Sequence, residues 1–227
     1  MIISYWSIPN IMKKYLVASS LLLSSFTSPI FAEESKSIYF SIGGGINFVG
    51  DLESSIGAIN GEYATNNPFQ YSFAIGKEFE DWKLEFNYSG TTLSSDQLTV
   101  TAGGVGATAS LTPDYEADVT SYMIYAYKVF PSDTKFTPYI GAGLGLSSID
   151  APSQNIALAG VNFVTGDFEE QVFTFGLKGG VDYEIAENTS IYTELGYLNL
   201  ASFEADANEE FDSINAFVVT AGLRFSF

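Results

Sequence analysis

The feature that most constrains the fold is a side-chain period of two, which recurs along the chain in segments of about ten residues. Apolar residues alternate with small or polar ones in SIYFSIGGGINF, and the same alternation returns in FQYSFAIGKEF, WKLEFNYS and AFVVTAGLRFSF. Successive side chains of a β-strand point to opposite faces, so this period predicts strands with one apolar face. No apolar stretch reaches the roughly 18 residues of a membrane helix.

The alternation predicts eight strands, separated by connections of two lengths. The strands are expected at 37–48, 69–79, 82–89, 119–130, 138–147, 172–185, 190–198 and 216–227. The turns after the second, fourth and sixth strands are short. The other connections are long and cover 49–68, 90–118, 148–170 and 199–215. This sorting is typical of membrane barrels, which have short periplasmic turns and long extracellular loops.

A sheet crosses a bilayer only when it closes on itself, because the hydrocarbon leaves free backbone groups without hydrogen-bond partners. The sequence therefore predicts an all-β chain that forms an eight-stranded antiparallel up-and-down transmembrane β-barrel. Its apolar face would point outward, with aromatic residues at both membrane interfaces. A soluble lipocalin-like barrel would place that face inside. The bulk of the aromatic residues, the sorted loops and the glycine-rich polar face favour the membrane barrel.

Glycine occupies every second position in PYIGAGLGLS, at Gly141, Gly143 and Gly145. A phosphate-binding loop would instead show the spacing G-x-G-x-x-G at a junction between a strand and a helix. The period of two places all three glycines on one strand face. We expect them to line the barrel lumen and to leave space for larger neighbours.

The segment 119–130 is apolar on both faces, so its alternation does not fix which face points outward. We place Met123, Tyr125, Tyr127 and Val129 toward the lipid.

The first 32 residues have the pattern of a secretory signal peptide. Lys13 and Lys14 precede an apolar run, and a small-residue site ends at Ala32. Cleavage there would leave residues 33–227 as one barrel domain, and Met12 is the expected start of translation. A retained membrane anchor is the alternative, but the apolar run is short for a span.

The composition excludes several kinds of site. The chain has no cysteine and no histidine, which removes Cys nucleophiles, Ser-His catalysis and His-ligated metals. We predict no catalytic, cofactor or metal site. The formal net charge is −18, and the signal peptide would remove two of the nine Lys and Arg. Such an acidic chain is a poor partner for nucleic acid.

Charged residues of both signs fall on the predicted inner face of the strands. The lumen of an eight-stranded barrel is just wide enough for its own side chains, so buried charges there must pair. We predict a plugging network made of Glu78, Glu85, Lys178, Asp182, Glu194 and Arg224. A gate that switches between two sets of pairs is the alternative.

The long connections are rich in Asp and Glu, as in TPDYEAD and FEADANEEFD. Hard divalent cations prefer oxygen ligands, so weak binding of divalent cations, or bridging to lipopolysaccharide through them, is one interpretation. None of these segments has an EF-hand spacing. A solvated acidic surface is the simpler interpretation.

Several quoted segments together resemble a known family. The signal peptide, the eight strands, TPYIGAGLG, SYMIYAYKVF and the ending GLRFSF are similar to the small outer-membrane β-barrels of Gram-negative bacteria. That group includes the outer-membrane protein A barrel and the opacity-type surface antigens. The resemblance implies an outer-membrane location among lipid and lipopolysaccharide. It also implies insertion by the barrel assembly machinery, with Leu223, Phe225 and Phe227 as the C-terminal signal.

These observations favour a non-enzymatic outer-membrane barrel with a plugged polar lumen and acidic external loops. A narrow channel for small solutes or apolar ligands is the second hypothesis. A lipid-modifying enzyme is the third, and it lacks an evident catalytic pair.

Overall fold

The computed structural model describes residues 38–158, 161–164, 166–205 and 209–227. The predicted signal peptide lies outside these residues. The described chain forms strands, which we number in chain order, and contains no helix long and apolar enough to cross a membrane. The long strands are β1 (Ile38–Val49), β4 (Phe69–Glu78), β5 (Trp82–Ala102), β6 (Val105–Val129), β7 (Phe136–Ala151), β10 (Phe168–Ala186), β11 (Thr189–Leu200) and β14 (Ile214–Ser226). The short strands are β2 (Leu52–Ile56), β3 (Ile59–Thr65), β8 (Asn155–Leu158), β9 (Val161–Val164), β12 (Phe203–Ala205) and β13 (Glu209–Phe211).

The eight long strands close into a ring. Each pairs antiparallel with the next long strand along the chain, and β1 pairs with β14 to complete the circuit. At the seam, the backbone N–H of Phe227 donates to the carbonyl of Ile38 over 2.8 Å. The ring satisfies the backbone without a free edge, as a bilayer requires. The predicted eight-stranded up-and-down barrel is confirmed.

The outer surface of the ring is apolar. Ile140, Leu195 and Phe217 are 58%, 68% and 64% exposed, although each is flanked in sequence by buried or half-buried residues. Aromatic residues collect at both ends of this surface. Near the long connections Tyr88 lies 5.3 Å from Tyr122, measured between ring centroids. These features match the expected lipid belt with aromatic girdles.

The predicted orientation of the fourth strand is wrong. Met123, Tyr125, Tyr127 and Val129 are buried in the lumen, at most 7% exposed, whereas Tyr122 faces outward. Because both faces of this strand are apolar, its own pattern cannot identify the outward face. The neighbouring strand decides: Met123, Tyr125 and Tyr127 pair with Gly145, Gly143 and Gly141, which leave room for large side chains inside.

The long connections are located as predicted, but they are largely regular. β5 and β6 continue past the membrane as a hairpin that turns at Gly103 and Gly104, both with positive φ. The short strands add to this extension, in the order β12–β13–β2–β3–β5 on one side and β6–β8–β9 on the other. Antiparallel pairing therefore extends the barrel wall well beyond the bilayer. In these segments the alternation of apolar and polar residues is too short to predict the additional strands.

Candidate functional site

Large tyrosines fill the centre of the lumen, and glycines on the facing strands make space for them. Tyr39, Tyr125, Tyr127, Tyr139 and Tyr192 are each at most 4% exposed. A Cβ added at Gly143 would lie 2.6 Å from Cε1 of Tyr125, closer than real Cβ contacts allow. Gly141 makes the same close approach to the Tyr127 ring. Glycine at these positions is thus required by the ring that lies against it.

The tyrosine hydroxyls point at two buried carboxylates. Tyr39 and Tyr127 donate to Glu85 over 2.9 and 3.0 Å, one to each carboxylate oxygen. Tyr139 donates to Glu194 over 3.0 Å. A carboxylate that is removed from water needs such donors in addition to a counter-charge.

Arg224 is the central cation of the lumen and is 3% exposed. Its Nη1 donates to Asp182, and its Nη2 lies 3.7 Å from Glu85 and 4.0 Å from Glu194. The guanidinium also lies over tyrosine rings, with Cζ 4.8 Å from the Tyr39 centroid. A planar cation of this kind can donate in its plane and stack on its faces at once.

Two lysines extend the network along the barrel axis. Lys83 lies 2.6 Å from Asp182 and 2.9 Å from Glu78, and is 4% exposed. Lys178 lies 3.3 Å from Glu194 and 4.5 Å from the Tyr125 ring centroid. The chain of contacts runs from Glu78 at the periplasmic mouth to Lys178 deeper in the lumen. Each buried cation of this layer thus faces a carboxylate.

The structure brings all six predicted network residues into this one layer. Lys83 also belongs to this layer but is not among the six predicted residues, and the sequence did not identify the tyrosines as hydrogen-bond donors to the carboxylates. These contacts could not be predicted without the register of the strands, because only strand pairing shows which tyrosine lies against which glycine. The predicted lumen glycines do line the lumen: Gly141 and Gly143 are buried and Gly145 is half-buried.

A second, apolar plug lies at the external end of the lumen, and no pattern in the sequence indicated it. It packs inward-facing side chains of β5, β6, β7, β10, β11 and β14 together. Its buried members are Leu93, Ala117, Val119, Ile149, Ala151, Val172, Leu200 and Ile214. Between the two plugs lies a layer of hydroxyls, in which Ser147 is 2.7 Å from both Ser121 and Thr174.

Two small cavities lie inside the described barrel. A cavity of about 10 Å³ lies beside Lys178 and Glu194, and one of about 30 Å³ lies beneath the apolar plug. An open vestibule of about 380 Å³ lies at the periplasmic end, with Lys83, Asp182 and Arg224 at its floor. In the described part of the chain, no group of carboxylates is arranged to hold a metal ion.

Comparison with known proteins agrees with this architecture. The family model of the outer membrane protein beta-barrel domain matches residues 18–225. The chain belongs to this family. It is therefore an outer-membrane protein of a Gram-negative bacterium, which confirms the predicted location.

Individual relatives are distant. Outer membrane protein PagN of Salmonella typhimurium is 26% identical over 152 residues, which cover 63% of this chain and 62% of PagN. The match thus spans less than two thirds of that relative. The crystal structure of Neisserial surface protein A is 16% identical to this chain and superposes on it with a TM-score of 0.55. The match covers 84% of this chain and 97% of the Neisserial protein. Outer membrane protein OprG of Pseudomonas aeruginosa shares 15% with a TM-score of 0.53, covering 85% and 97%. These two similarities show the fold.

Proposed function

We propose that this family member is a non-enzymatic barrel that strengthens the outer membrane and presents acidic hairpins outside the cell. The observation that supports it is the double closure of the lumen, by the charged layer around Arg224 and by the apolar plug at the external end. Side chains fill the interior of an eight-stranded barrel by geometry alone. Conduction would require both plugs to rearrange.

A silent bilayer is the expected result of single-channel recording. Refolded protein in a planar membrane should give no reproducible conductance steps at moderate voltage, because buried, packed side chains occupy both plugs. A large porin with a water-filled lumen, recorded in the same membrane, serves as the open control. Steady, reproducible conductance of the unaltered protein would support the narrow-channel alternative instead.

The enzyme alternative lacks support in the site. The buried carboxylates Glu85, Asp182 and Glu194 each contact a cation, and tyrosine hydroxyls contact two of them. They are thus neutralised in pairs rather than arranged as an acid and a base around an open cleft. Histidine and cysteine are absent from the whole sequence. Lipid A that stays unchanged after overexpression would agree with a non-enzymatic role.

The proposed surroundings are outer-membrane lipid and lipopolysaccharide, with insertion by the barrel assembly machinery. Phe227 is 81% exposed at the barrel seam, so the folded barrel does not depend on burial of its side chain. Replacing it with serine should lower the amount of folded barrel in cells several-fold. Refolding of the purified variant into detergent should be unchanged, because the seam uses the backbone N–H of this residue.

Phe130→Ser is the matched control for that experiment. Phe130 is a second exposed aromatic at the periplasmic end, 50% exposed, and lies away from the C-terminus. Measured by the heat-modifiable band on gels, its variant should assemble normally. Equal loss from both variants would point to general interface anchoring and not to a C-terminal signal.

A further inference from the structure

The external extension contains a four-stranded sheet with two unlike faces. This distal sheet consists of β2, β3, residues 97–102 of β5 and residues 105–110 of β6. At its tip Ile56 pairs with Ile59, Ile59 with Ala102, and Ala102 with Val105. Directly paired residues of antiparallel strands share a face, so these four form one apolar row.

The two rows below continue the same face. One row contains Ser54, Gly61, Val100 and Ala107, and the next contains Leu52, Tyr63, Leu98 and Ala109. The opposite face is polar and carries Glu53, Ser55, Asn60, Glu62, Thr99, Thr101 and Thr108. The distal sheet is thus amphipathic although no membrane surrounds it.

Contacts at its base show which way the apolar face points. The Tyr63 ring lies 5.8 Å from that of Tyr115, and both Tyr115 and Leu52 pack near the apolar plug. The apolar face therefore lies on the lumen side and is continuous with the plug. Toward the tip it is uncovered: Ile56 is 48% exposed, Ile59 47% and Val105 75%. Apolar surface of this kind, rimmed by polar residues, marks an interaction site.

The charge of the external segments restricts the kinds of molecule that can bind to this face. None of the nine Lys and Arg lies in the four external segments, whereas more than half of the 27 Asp and Glu do. On the opposite face of the sheet, Glu53 and Glu62 surround one depression together with Glu210 and Asp212. This field repels anionic lipid, sulfated glycans and a second copy of the chain. It attracts a cationic partner.

We propose that the apolar face of the distal sheet binds cationic amphipathic peptides. Apolar side chains of the peptide would cover Ile56, Ile59 and Val105, and its Lys or Arg side chains would be held by the negative field of the acidic external segments. The inference goes beyond the proposed function, since a conducting barrel could carry the same surface. It concerns a ligand class and is independent of whether the lumen is closed.

The test uses a fluorescein-labelled amphipathic Leu/Lys peptide and the full barrel in phosphatidylcholine nanodiscs, read by fluorescence anisotropy. The double variant Ile59→Ser, Val105→Ser should bind about tenfold or more weakly, because two apolar contacts are lost. The control variant Asn60→Ala, Thr101→Ala changes the opposite face and should bind as the unaltered protein does. Comparing variants in identical discs cancels binding of the peptide to lipid. Heat-modifiable mobility verifies that each variant is folded.

Three results would overturn the proposal. A Lys/Ser peptide of equal charge that binds as tightly would mean that charge alone acts. Unchanged affinity of the Ile59→Ser, Val105→Ser variant would mean that the apolar row is not the site. Protein dimers in the discs that disappear in this variant would assign the face to a second copy. The proposal is supported if the Lys/Ser peptide and a Leu/Glu peptide both bind the unaltered protein more weakly than the Leu/Lys peptide does.

Discussion

Replacing Arg224 with alanine should destabilise the barrel by about 3–5 kcal/mol, the usual effect of removing one partner from a buried ion pair. Arg224 is within 4.0 Å of Asp182, Glu85 and Glu194, and all four groups are at most 6% exposed. Without the guanidinium, Lys83 and Lys178 remain to compensate these three buried carboxylates. Urea unfolding of the refolded protein, followed by tryptophan fluorescence, measures the loss.

Lys128→Ala is the control for this prediction. Lys128 pairs with Asp81 at the periplasmic surface, where the two side chains are 36% and 48% exposed. An exposed pair of this kind contributes about 0–1 kcal/mol. The double variant Arg224→Ala, Glu85→Gln should recover part of the stability, because it removes the carboxylate that pairs with Arg224, whereas Asp182 keeps Lys83 and Glu194 keeps Lys178. If Arg224→Ala unfolds at the same urea concentration as Lys128→Ala, the buried network does not hold the barrel together.

Replacing Gly143 with leucine should prevent the barrel from folding with its native interior. Even a Cβ at this position would lie 2.6 Å from Cε1 of Tyr125, and overpacking by smaller groups already costs about 1–3 kcal/mol. Tyr125 is 1% exposed and stacks on Tyr127 with centroids 5.7 Å apart, so it has no free space to move into. The folded fraction after refolding, read from the heat-modifiable band, should fall to near zero.

The neighbouring position supplies the matched control. Ala142 follows Gly141 on the same strand and points to the lipid side, so Ala142→Leu adds the same bulk where there is room. It should fold normally. The double variant Gly143→Leu, Tyr125→Ala should refold in part, because the leucine then occupies the volume of the ring. Normal folding of Gly143→Leu alone would show that the lumen is not packed around Tyr125.

Strand positions and most strand faces could be predicted because a bilayer imposes a strict rule on each lipid-facing residue. Ile140, Phe73 and Leu195 are apolar whatever their neighbours are. The alternation within a single strand therefore shows which of its two faces points toward the lipid. The rule fails where the interior is also apolar. On β6 the buried Tyr125 and Tyr127 resemble lipid-facing residues.

The candidate site was predicted only as a set of charges. Inward positions of Glu85, Asp182, Lys178 and Arg224 follow from the period of two, and the need for pairing follows from burial. Which cation meets which carboxylate depends on strand pairing across the ring. Lys83 meets Asp182, which lies 99 residues away in the chain, and no local pattern records such a contact.

The sequence by itself determined the class of fold, the outward-pointing face of most strands, and the exclusion of sites that require histidine or cysteine. These properties arise from local rules, namely the period of two, the spacing of the turns and the lack of histidine and cysteine. The tertiary structure alone decided the orientation of β6, the partners of Arg224, the apolar plug and the amphipathic distal sheet. Each of these depends on which residues the closed ring brings opposite one another, and that register is a property of paired strands rather than of any single one.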